Sequence, residues 1–273
     1  MQKNNMEYTI VGCITQYGVE DIRPYVESID RSGFNGDKVM LVYDVPTETI
    51  EYLKSKGWEL YGGVLNEHII LQRFKDMYAI LTDYKPESKY EWIIWTDVKD
   101  VIFQKNPIEW IENNKKYTRL FAFSESVKLK DDSWAVVNTG TSFPMEWEMG
   151  LKDKIGYCAG TMVGDKKYIR DLFLQIYHWS KSTANTGQLS DQAAFNVLIH
   201  LEQFNSTQFV PQEKGFATQL GTVWMKKDSL PLLEPTPIYK GGKFYNQNGE
   251  EFVIVHQYDR DPQIKKEITE LYK

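Results

Sequence analysis

The run Glu91–Gln104 (EWIIWTDVKDVIFQ) constrains this chain more than any other segment. Its apolar residues Trp92 to Trp95 predict a strand buried on both faces, as in a parallel sheet. Two carboxylates, Asp97 and Asp100, follow before apolar sequence resumes. Side chains three apart on a regular strand point to opposite faces, so the chain must turn here for the two acids to converge. Open α/β sheets bind ligands at the carboxyl ends of their strands. Paired oxygen ligands in that position suit a hard divalent cation bridging phosphates. Taken alone, the segment also fits two solvated turn aspartates.

The sequence before this run alternates strand and helix. Tyr8–Thr15 predicts a first buried strand ending in the polar loop Gln16-Tyr17-Gly18, followed by a helix over Asp21–Arg31. Lys38–Asp44 is a second strand and Thr47–Lys56 a helix, with Thr47 as its cap and Gly57 as its stop. Trp58–Val64 is a third strand. Glu67–Tyr84 reads as a long helix, because Ile70, Phe74, Met77, Tyr78 and Leu81 recur at three- and four-residue steps. This rhythm is that of a mainly parallel sheet covered by helices on both faces.

Beyond residue 105 the rhythm loosens. Arg119–Ser124 and Tyr157–Val163 predict strands, Lys166–Lys181 and Ser190–His200 helices, and Thr183–Gln188 a turn. Lys128–Pro144 is polar and irregular, and is expected to form a mobile loop. A last strand, Phe252–His256, precedes a charged terminal helix. No repeat or linker divides the chain, so one α/β domain over 1–273 is expected. Residues 1–105 would form its nucleotide-binding half and 106–273 its sugar- and acceptor-binding half.

Charge and cysteine content exclude several classes. The net charge is −6 without a long basic run, which argues against a nucleic-acid groove. Cys13 and Cys158 lie far apart with no metal-ligand spacing, as in a reduced cytoplasmic protein. No apolar run approaches the ~18 residues of a membrane span, and the amino terminus does not resemble a signal peptide. The sequon Asn205-Ser-Thr207 is then a coincidence.

The sequence lacks G-x-G-x-x-G after a strand, a P-loop, H-E-x-x-H and a G-x-S-x-G elbow. Two further segments carry chemistry. In Leu189-Ser-Asp-Gln-Ala-Ala-Phe-Asn196, Ser190 caps a helix and Asp191 sits in its first turn. The helix dipole alone explains an acid there, although such a carboxylate can also hold a substrate hydroxyl or take its proton. In Val253-Ile-Val-His-Gln-Tyr-Asp-Arg260, His256 closes an apolar strand. A lone histidine is commonly structural, but one imidazole with two carboxylates makes a plausible Mn²⁺ set. His68, His178 and His200 fall on predicted helices and read as surface or core residues.

The ordered combination of the first strand and its polar loop, WTDVKDVIFQ, GYCAGTMVG, SDQAAFN and VHQYD resembles a GT-A fold glycosyltransferase from Tyr8 to Arg260. The resemblance implies that Thr15, Gln16 and Tyr17 hold the nucleotide and that Arg73 faces the donor. It implies Asp97, Asp100 and His256 as ligands of Mn²⁺ or Mg²⁺, with Asp97 also reaching the donor. Gly160 and Thr161 would line the sugar pocket, and Asp191 would serve as catalytic carboxylate. The usual D-x-D pattern is not met, since Val98 stands where its first acid belongs if Asp100 is the second.

The implied reaction moves a hexosyl or pentosyl group from a nucleoside-diphosphate donor, a UDP-sugar, to a hydroxyl of a glycan or other acceptor. Trp134 and Asn138 are the acceptor-side candidates, within a segment expected to close over the site. Two other readings stand beside it: a nucleotidyltransferase, for which the early Gly-rich phosphate loop is missing, and an inactive carbohydrate-binding relative.

Overall fold

The computed structural model describes residues 7–84, 91–183, 190–201 and 204–273. The first half follows the expected alternation: β1 (Glu7–Thr15), α1 (Val19–Arg31), β2 (Asp37–Tyr43), α2 (Thr47–Ser55), β3 (Glu59–Gly62), α3 (Ile69–Asp83) and β4 (Glu91–Thr96). Every residue of β4 is buried, as its unbroken apolar run requires. After a turn carrying both aspartates come β5 (Val101–Phe103) and α4 (Pro107–Asn114). Pro46 rather than Thr47 occupies the cap position of α2, while Gly57 ends that helix in the left-handed region at φ +73°.

The second half comprises β6 (Leu120–Lys128), α5 (Ser133–Ser142), α6 (Pro144–Glu148), β7 (Ile155–Asp165), α7 (Lys166–Ser182) and α8 (Ser190–Ile199). It continues with β8 (Thr207–Val210), β9 (Ala217–Gln219), α9 (Leu220–Val223), β10 (Ile238–Lys240), β11 (Lys243–Tyr245), β12 (Ile254–His256) and α10 (Pro262–Leu271). The turn expected over Thr183–Gln188 and the capping expected of the Ser190 side chain lie largely outside the described residues.

The expectation of a mobile loop over Lys128–Pro144 is corrected by α5 and its flanking turns. Asp132 caps α5 by accepting from the Trp134 N–H at 3.3 Å, and the helix packs on α8. Its buried residues are Ala135, Asn138, Thr139 and Ser142, so no apolar stripe announced it.

A seven-stranded sheet in the order β3-β2-β1-β4-β7-β6-β8 forms the centre. Four of its six pairings are parallel; β7 lies antiparallel between β4 and β6. Strands from both sides of residue 105 thus share one sheet. Helices α3, α7 and α8 cover one face around Phe74, Trp95 and Phe173, while α1 packs on the other around Tyr25 and Ile94. Fully burying an aliphatic or aromatic side chain of this size contributes about 1.5–3 kcal/mol.

A smaller sheet, β5-β12-β9, stands beside the large one. Its geometry places the site. β5 begins one residue after Asp100, while β12 ends on His256 and β9 on Gln219. All three strands therefore bring a polar residue to the same end.

Candidate metal and donor site

The backbone turns where the two-acid spacing demands. The Asp97 N–H donates to the Gly160 carbonyl at 2.8 Å, continuing the pairing of β4 with β7. Gln257, in the left-handed region at φ +62°, donates its N–H to the Asp100 carbonyl at 2.7 Å. These bonds hold Asp97, Asp100 and His256 with one ligand atom of each within 4.8 Å of the others.

The donor set suits a divalent cation. His256 is 2% exposed, and its Nε2 lies 3.5 Å from Asp97 Oδ2 and 3.6 Å from Asp100 Oδ1. That nitrogen has no hydrogen-bond partner, a costly state for a buried polar atom unless something is coordinated there. On the other side of the ring, Nδ1 is 2.7 Å from Gln219 Oε1, while Gln219 Nε2 donates to Thr161 Oγ1 at 2.8 Å. With the amide so oriented, Nδ1–H donates and Nε2 faces the carboxylates, the arrangement that buttresses metal-ligating histidines. Burial disfavours charge on the ring, but Cys158 and the two carboxylates outweigh it and hold the His256 pKa well above its ordinary value. The pocket therefore favours positive charge between its acids.

Arg73 ties this set to Asp191. The guanidinium donates to Asp97 Oδ1 at 2.6 Å and to Asp191 Oδ2 at 2.8 Å, packed against Phe74 and Trp95. Burial would raise the Asp97 pKa, yet Arg73 and His256 overturn that and hold it well below the ordinary carboxylate range. At Asp191 burial wins and its pKa is raised, although Arg73 and the Gln192 N–H, donating at 2.7 Å, oppose it.

A cleft of about 410 Å³ opens beside this set, lined by Thr15, Tyr17, Arg73, Asp97, Asp100 and Arg260 among others, with His256 and Asp191 outside its lining. Gln16 stands apart from that lining: its backbone is left-handed at φ +55° and its amide donates to Asp44 Oδ2 at 3.3 Å. Lys99 lies over the Tyr17 ring and pairs with Asp21 at 3.3 Å. Gly160 sits directly beneath the ligands, where a Cβ would come 2.5 Å from Asp97 Oδ2 and 2.8 Å from His256 Cε1. Thr161 is fully buried and touches the site through Gln219. Trp134 and Asn138 lie on α5 and do not line the cleft; Trp134 packs against the core, and Asn138 donates to the Trp134 carbonyl at 2.8 Å.

Four contributors escaped the sequence reading. Gln219 lies in a three-residue strand, with no periodicity to mark it. Cys158 Sγ is 3.5 Å from His256 Nδ1, and Arg260 approaches Asp100 at 3.7 Å. The last is Glu125, buried on β6 and bonded to Gln192 Nε2 at 3.1 Å. Its signal was a lone acid between two serines just past the apolar run Leu120–Phe123.

No protein-family model matches this chain, and no curated protein matches it. Among solved structures it is similar to the apo structure of WbbM, a bifunctional glycosyltransferase, with a TM-score of 0.53 and 14% identity. The chain has a glycosyltransferase-like fold. The match covers 81% of this chain and 41% of the other, so this chain spans about two fifths of that protein's length. At this identity the likeness is one of fold. Among the described residues, no helix is long and apolar enough to cross a membrane.

Proposed function

We propose that this chain is a metal-dependent glycosyltransferase that moves a sugar from a nucleoside-diphosphate donor, a UDP-sugar, to a hydroxyl of a glycan or other acceptor. The observation that carries this reading is the convergence of Asp97, Asp100 and the unpartnered Nε2 of His256 beside a nucleotide-sized cleft. The glycosyltransferase-like fold supports it.

In this reading Asp97, Asp100 and His256 hold Mn²⁺ or Mg²⁺, with Gln219 fixing the imidazole. Bound there, the cation supplies Lewis-acid stabilisation of the charge that gathers on the leaving diphosphate. Thr15 and Tyr17, which line the cleft at the carboxyl end of β1, meet the nucleotide. Arg73 keeps Asp97 ionised and, through its second arm, fixes Asp191 at the start of α8. In an inverting reaction Asp191 takes the acceptor proton, a role helped by its raised pKa. In a retaining reaction it orients sugar hydroxyls instead. Gly160 lets the ligands close down on the strand beneath them.

Release of UDP from a panel of UDP-sugars, with Mn²⁺, Mg²⁺ or EDTA, tests the proposal. Metal-dependent release from one donor is expected, reduced about 10²-fold or more in Asp100→Ala, the scale of losing an electrostatic stabiliser. Release that persists in EDTA, or an Asp100→Ala variant with unchanged metal dependence, refutes the assignment.

A further inference from the structure

A second cavity, of about 420 Å³, lies at the far end of the small sheet from the metal ligands. It is bounded by α4, by the turn ending at Gly215 and by the loop 248–253, all outside the cleft described above. β5 runs from Asp100 towards it, and β9 and β12 run back from it to Gln219 and His256. Three-residue strands at ~3.3 Å per residue separate the two sites by roughly 10 Å along the sheet.

Trp110 lines this cavity. Its indole N–H donates to the Lys214 carbonyl at 2.8 Å, and its ring packs against Phe216 at 4.6 Å and Phe121 at 5.1 Å. The ring is therefore fixed, its one donor is spent, and what it offers a ligand is an apolar aromatic surface. The opposite rim is equally set. Asn246, 1% exposed, donates to the Glu213 carbonyl and to Glu250 Oε2, each at 2.9 Å, and accepts from the Asn248 and Glu250 N–H groups. A groove fixed in this way loses little conformational entropy when it is filled.

Around the aromatic surface stand groups that donate and accept. The amides of Asn113 and Asn248 are exposed and have no side-chain hydrogen-bond partner among the described residues. Lys105 and Lys214 stand among four glutamates, Glu109, Glu213, Glu250 and Glu251, the last paired with Lys243 at 2.9 Å, so acids outnumber bases and the lining has no cationic pole. That balance does not suit phosphate or another anion, which calls for clustered positive charge. Free amides and charges of both signs beside one flat ring match a ligand with many hydroxyls and an apolar C–H face.

From these features we infer that this groove is a binding site for a neutral oligosaccharide, separate from the donor cleft. Its occupant is a stretch of glycan held without being cleaved or extended there. Tethering a chain at this distance raises the local concentration of its other residues near the metal ligands. The groove's chemistry is independent of the metal site, so it stands even if the proposed transfer does not.

Affinity electrophoresis through gels containing dextran, mannan or galactan, run in EDTA, tests this directly. The wild-type protein and Asp100→Ala should both be retarded by at least one of the three polymers. The double substitution Asn113→Ala/Asn248→Ala removes two exposed amides and should weaken that retardation about tenfold in dissociation constant, equivalent to ~1.4 kcal/mol. Its circular dichroism and melting should match the wild type. Trp110→Phe gives a second variant that keeps an aromatic ring in the core, and it too should bind more weakly. No retardation by any of the three polymers, or retardation unchanged in the double variant, overturns the inference.

Discussion

Gly160 has no space for a methyl group, because the metal-ligand candidates occupy the position a Cβ would take. Its neighbour Thr161 acts at one remove, holding the amide that holds the ring of His256. Gly160→Ala must therefore push Asp97 and His256 away from each other, without touching the hydrophobic core. The expected outcome is a melting temperature close to that of the wild type, with Mn²⁺ affinity reduced about 10–100-fold, the scale of disturbing a ligand's supporting contacts. Isothermal titration of Mn²⁺ into both proteins measures it. Equal affinities would mean that these two side chains do not share a cation. Asp97, Asp100 and His256 were legible in the sequence because each closes or follows an apolar strand. Gln219 was not, since a hydrogen bond across two strands leaves no trace in residue spacing.

Among the elements, the β-α alternation up to β4 could be read because the strands are short apolar runs and the helices repeat at three- and four-residue steps. The helix α5 could not. Val136, Val137, Thr139, Gly140 and Thr141 are weak helix formers, and Val137 is 60% exposed while polar Asn138 is buried. Its stability comes instead from the Asp132 cap, from the Lys226–Asp132 pair at 2.9 Å and from packing on α8. The cap is local, but the ion pair and the packing depend on the tertiary fold. The antiparallel placement of β7 between β4 and β6 was equally hidden, because a strand buried on both faces looks the same in either direction.

For the whole molecule, stability at acid pH carries a signature from His200. Its ring stacks on Phe209 at 4.9 Å and meets Tyr157 edge-on at 6.0 Å. Burial, with the charge of Lys154, pushes its pKa down to about 4 from 6.5. Below pH 6.5 the unfolded chain takes up a proton that the folded ring refuses, so stability falls as pH drops from 6.5 to about 4 and levels off beneath that. The full effect is on the order of 2–3 kcal/mol, somewhat reduced because the ring is not wholly buried. Urea unfolding of wild type and His200→Phe at several pH values isolates this contribution, since the other titrating groups cancel in the difference. The gap between the two should grow in favour of the variant towards pH 4. A constant gap would place the ring in a hydrated setting.

The glycosyltransferase reading rests on a cation shared by Asp97, Asp100 and His256. Electron paramagnetic resonance of Mn²⁺ titrated with the protein, alone and with UDP, tests that most directly. Wild type should bind one Mn²⁺ per chain, more tightly with UDP present, and His256→Ala and Asp100→Ala should each lose that binding while remaining folded. Mn²⁺ bound equally well by both variants, or not at all by the wild type with UDP present, would contradict it.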